Sequence, residues 1–90
     1  MIYQTKLPIM SESAFYNAKK IILRIYEGEG IKDRAHSIIR QIEKDQIIAR
    51  AREHFRETGE WSNKDLRQQL SRKYHYSEKE VQWIIYNNKG

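Results

Sequence analysis

Cysteine is absent from this chain of 90 residues, so no disulfide framework, thiolate metal site or thiol nucleophile is available to it. Proline occurs once and glycine four times. With so few breakers, long stretches run uninterrupted and favour helix. Aliphatic runs stop at the length of Ile21-Ile22-Leu23, far too short to span a membrane. The start, Met1-Ile2-Tyr3-Gln4-Thr5-Lys6, lacks a charged segment followed by an apolar run, so no signal peptide is expected and a cytoplasmic location follows by default. Blocks of like charge are missing too, which excludes a histone-like tail.

The motifs of catalysis are equally absent. The chain has no Gly-rich phosphate loop following a strand, no nucleophile elbow and no HExxH run. Gly28-Glu29-Gly30 reads as a turn between helices. His36, His54 and His75 share no metal-ligand spacing with one another or with carboxylates. Each carboxylate has a basic neighbour, and none sits in an apolar setting that would raise its pKa. The expectation is a binding protein, with no enzymatic activity, no cofactor and no metal.

What is present is charge and helical periodicity. Seventeen Lys and Arg against twelve Asp and Glu give +5, a surplus that attracts polyanions, whether nucleic acid or an acidic protein face. Charged residues make up 32% and apolar residues 39%. With a mean hydropathy of -0.89, that is polar for a globular chain, yet too rich in Ile and aromatics for a disordered one. The length fits one compact domain.

The expected fold is all-α. A short extended arm covers 1–10, with Pro8 confining it to an edge or unpaired position. A helical hairpin covers 11–45 and a tri-helical, helix-turn-helix-like module covers 46–90. Ser11 or Ser13 caps the first helix, whose Phe15, Ala18, Ile22, Ile25 and Tyr26 share one face. Ala35, Ile38, Ile39 and Ile42 form the matching stripe of the second helix, echoing Ala18, Ile21, Ile22 and Ile25. Ile47, Ile48, Ala51 and Phe55 then fall nearly opposite. The helix either breaks near Lys44-Asp45 or runs on and serves two cores, and the absence of Gly and Pro between 31 and 58 favours continuity. Thr58-Gly59-Glu60 ends it. Ser62-Asn63-Lys64-Asp65 and Ser77-Glu78-Lys79-Glu80 both match the capping-box pattern and start two further helices.

In the last helix, turning Val81, Ile84 and Ile85 inward places Lys79, Gln82, Trp83 and Tyr86 on the opposite face. That stripe is either a binding surface or a second core face packed on the hairpin. Two partner classes follow. If nucleic acid, with DNA favoured over RNA, is the target, Lys64, Arg67, Arg72, Lys73 and Lys79 form a phosphate-contacting rim and Gln82 suits bidentate contact with adenine. If the target is a protein, Trp83 and Tyr86 are the anchors. The six-residue interval from Leu70 to Tyr76 is longer than the strict helix-turn-helix motif allows. The apolar hairpin face and the arm also suit a homodimer.

The stretch Ser62-x-x-Asp65-Leu66-x-x-x-Leu70-x-x-Lys73, with Tyr76-Ser77-Glu78-x-Glu80-Val81-x-x-Ile84-Ile85 after it, resembles one helical module of the RecX recombination regulators. The resemblance implies binding and restraint of a recombinase filament. It spans barely half the chain. Tyr74 stands where a small residue is usual, one residue is extra, and the tandem copies of that family are missing, so no family is assigned on it. The size and Lys/Ile/Tyr-rich composition are also those of many phage and mobile-element products that act on host machinery.

Overall fold

A computed structural model describes residues 9–30 and 32–88. These residues form four helices and no strand, so the fold is all-α. The helices are α1 (Glu12–Gly28), α2 (Lys32–Thr58), α3 (Lys64–Tyr74) and α4 (Glu78–Asn88). Of the expected arm, 1–8 lies outside the described residues, and Ile9 and Met10 are non-helical. No helix among the described residues is long and apolar enough to cross a membrane.

The helix boundaries follow local chemistry. Ser11 caps α1, its Oγ accepting from the Ala14 N–H at 3.2 Å. α1 ends at the expected Gly-Glu-Gly turn, where Gly30 takes a positive φ of 76° that costs a glycine little. α2 runs unbroken for 27 residues and stops at Gly59 (φ 83°), whose N–H closes back on the Phe55 carbonyl at 2.8 Å. The cap of α3 is Asn63, not Ser62: Asn63 Oδ1 accepts from the Leu66 N–H at 2.8 Å. Starting one residue later leaves Ser62 Oγ to accept from Arg67 at 3.3 Å. His54 steadies this link, its Nδ1 donating to the Glu60 carbonyl at 2.8 Å while Asn63 Nδ2 donates to its Nε2 at 3.3 Å.

α2 is the shared wall. Ala35 and Ile39 are buried in its first half, while Ile47 and Ala51 belong to the core cluster with Phe15, Leu70, Tyr74, Tyr76, Val81, Ile84 and Ile85. The expectation of one continuous helix holds, but its Ile47 and Ala51 serve a single core cluster that Phe15 of α1 also enters. Two expected core positions are exposed instead, Phe55 by 40% and Ile25 by more. Ile25 is 52% exposed, because it lies roughly 80° round the helix from Phe15 at about 100° per residue, beyond the strip that α2 covers.

Polar contacts at Met10 tie the start of α1 to α2. The buried Gln46 accepts from the Met10 N–H through Oε1 at 2.8 Å. One turn on, Arg50 donates from Nη2 to the Met10 carbonyl and from Nε to the Tyr74 hydroxyl, both at 3.0 Å. Phe15 then meets Tyr74 edge-to-face with ring centroids 5.3 Å apart. Arg50 thus joins the start of α1, the middle of α2 and the end of α3. Arg50→Ala is expected to cost about 1.5–3 kcal/mol in urea unfolding, the range for hydrogen bonds from a charged donor. Arg56→Ala, which loses only the exposed pair with Glu53, is expected to stay within about 0.5 kcal/mol of the parent.

Candidate nucleic-acid interface

α3 and α4 are joined by three residues, His75-Tyr76-Ser77. His75 caps α3 in the left-handed region, at φ 60° and ψ 38°. Tyr76 is buried, its ring under the Arg40 guanidinium at 5.2 Å, and its carbonyl accepts from the Ser71 hydroxyl. Ser77 opens α4 with a reciprocal box. Its Oγ accepts from the Glu80 N–H at 3.1 Å, and its own N–H donates to Glu80 Oε1 at 2.9 Å. The interval from Leu70 to Tyr76 shrinks to a short turn because α3 continues through Tyr74 and Tyr76 itself sits inside the turn. The long spacing in the sequence is mostly helix.

Val81, Ile84 and Ile85 are buried, which settles how α4 is rotated. Lys79, Gln82, Trp83 and Tyr86 are all exposed, Trp83 by 68% and Tyr86 by 57%. The stripe does not pack on the hairpin. Beside it, Tyr86 lines a small cleft with Glu60, Trp61, Ser62 and Ile85, and Trp61 stacks on Phe55 with centroids 4.5 Å apart. Those two aromatics were not legible as part of this surface, since they precede α3 and reach α4 only through the fold.

The basic residues of α3 are less convergent. At about 100° per residue, Lys64, Arg67, Arg72 and Lys73 spread over roughly 240° of the helix circumference. Lys64 and Arg72 are exposed. Arg67 turns back to Ser62, and Lys73 lies half-buried with its Nζ 3.7 Å from a Glu12 carboxylate oxygen. Arg72 and Lys73 share a cleft with Glu12, Arg50, Glu53, His54 and Glu57, where cations and carboxylates alternate. A different set of basic residues does converge. Lys19, His36, Arg40 and His75, from α1, α2 and the turn, line one cleft with Glu43. No local spacing signals this group, because the hairpin register brings 19 opposite 36–40 and the turn adds 75. Among the described residues no set of three His, Asp or Glu side chains is arranged to hold a metal.

The Ser77 N–H holds the Glu80 carboxyl below its ordinary range, with the Ser77 hydroxyl next and Arg40 adding to it. A carboxylate with a lowered folded-state pKa stabilises the fold above its unfolded value of about 4.3, and that contribution disappears as pH falls through the folded value. Thermal unfolding of Glu80→Gln should therefore lie below the parent at pH 7 and approach it at pH 3. At the turn, His75→Gly is expected to raise stability by about 0.5–1 kcal/mol, since the left-handed region costs a Cβ-bearing residue more than glycine's extra entropy.

No protein-family model matches the chain, and neither a characterised protein nor a solved structure matches it.

Proposed function

We propose that this chain is a nucleic-acid-binding regulator in which α3 braces and α4 reads, in the manner of a helix-turn-helix. The observation that carries the reading is the three-residue turn with its left-handed first residue, followed by a helix whose outward face is exposed. Such a turn is what the motif requires, and a second helix with an exposed outward face is what enters the major groove. Gln82 supplies an amide suited to adenine, and Lys79 lies at the end of the helix that meets the base edges first. Lys19 and Arg40, with His36 and His75 beside them, flank the turn and take the phosphate-contacting role together with Arg72. The +5 charge supports binding to a polyanion. No bond-making chemistry enters this role, and no cofactor.

Fluorescence anisotropy with labelled duplex and single-stranded DNA at several salt concentrations tests the reading. Duplex binding should weaken with salt at a slope of about −0.9 per phosphate contact, with several contacts implied. Arg40→Ala should lower affinity on all sequences and reduce the slope by about one contact. Gln82→Ala should cost about 1–3 kcal/mol on a preferred site only. A flat baseline at low salt would sink the proposal.

A second reading, a regulator or inhibitor that docks on a protein, is favoured by the exposure of Trp83 and Tyr86 beside the Trp61 cleft. Large aromatics at such exposure are typical binding anchors. It predicts no DNA binding, together with loss of partner capture by Trp83→Ala and Tyr86→Ala variants whose unfolding is unchanged.

A further inference from the structure

α1 carries two apolar seams, and among the described residues one of them is covered. Phe15, Ile22 and Tyr26 lie toward α2 and are buried or half-buried. Ala14, Ala18, Ile21 and Ile25 form the other, at successive spacings of four, three and four residues. Ala14 and Ile21, and Ala18 and Ile25, are each one heptad apart, which keeps the seam along one side of the helix, the arrangement through which helices pair by knobs-into-holes. Ala14 is exposed, Ala18 half-buried, Ile21 57% exposed and Ile25 52% exposed. Among the described helices, α1 packs on α2; its side-chain contacts with α3 are made by Glu12 and Phe15, off this seam.

We propose that the second seam is covered by the same seam of another copy of this chain, α1 running antiparallel to α1 about a two-fold axis. The order of residue sizes selects this occupant. Read from either end of an antiparallel pair, small-small-large-large becomes large-large-small-small. Ala14 then faces the other copy's Ile25, and Ala18 faces its Ile21, in all four layers. A large residue opposite a small one fills each layer without strain, and the two-fold makes every contact occur twice. Parallel pairing would set alanine on alanine and leave two layers underfilled. Charge permits it: Arg24, the one charged side chain bordering the seam between 14 and 25, comes near the other copy's Asn17 in the antiparallel pair. This assembly stands independently of what α4 binds.

A single helix pair falls short of the roughly 1,200 Å² of a standard interface, so association belongs at micromolar concentrations and above. Sedimentation velocity across that range should show a shift to twice the monomer mass, abolished by Ile25→Glu. The sharper test is Ala14→Leu, which adds apolar surface yet sets a second large side chain against the other copy's Ile25. It should weaken the dimer about tenfold or more, as overpacking does. The double variant Ala14→Leu with Ile25→Ala restores one large and one small residue per layer and should recover dimerisation. Both positions are exposed, so circular dichroism should show unchanged helicity. A single monomer mass at every concentration overturns the proposal, as does an Ala14→Leu variant that associates as well as the parent or better. A double variant that stays monomeric overturns the antiparallel register.

Discussion

Both backbone polar groups of Met10 are held by side chains of α2, and that pairing fixes how the rest of the molecule is assembled. Gln46 takes the N–H and Arg50 the carbonyl, one helical turn apart, so the chain entering α1 is gripped as a neighbouring strand would grip it. Because Arg50 also reaches the Tyr74 hydroxyl, the same contact sets where α3 ends. A buried amide and a half-buried guanidinium are costly unless satisfied, so the arrangement favours one register of α1 on α2 over any neighbouring one. Apolar stripes alone tolerate slippage better than this.

The register has chemical consequences far from Met10. It places Lys19 of α1 beside His36 and Arg40 of α2, and the turn then adds His75. It also turns Ile21 and Ile25 away from α2. The cleft around Lys19 and Arg40 and the exposed apolar seam are therefore two products of one packing decision, lying on different sides of α1.

Local signals in the sequence were enough for the helices themselves. Ser11, the Gly28-Glu29-Gly30 turn, Gly59 and the Ser77–Glu80 box all act on groups within four residues, and each appears where its chemistry indicates. The outward rotation of Trp83 and Tyr86 was readable as well, because Val81, Ile84 and Ile85 leave only one inward solution for α4. The choice between Asn63 and Ser62 was not, since both are good caps and only the bonds from His54 and Arg67 separate them. Ile25 misled because apolar periodicity reports which residues avoid water in some assembly, without saying which neighbour removes it. The supposed phosphate rim on α3 relied on composition, and helical rotation disperses it. The cleft around Arg40 had no local signature at all, since Lys19, Arg40 and His75 come from three separate elements of the chain.

That α2 is one uninterrupted helix gives the molecule a fixed rotational phase. Ala35 and Ile39 are the buried face of its first half and Ile47 and Ala51 that of its second, so the angle between those two faces is set by the number of residues between Ile39 and Ile47. Adding or deleting one residue there would swing one face by about 100° about the α2 axis relative to the other, while the same change near Gly59 would be absorbed by the link. The middle of α2 thus works as a spacer whose length carries information, whatever side chains line its outward face.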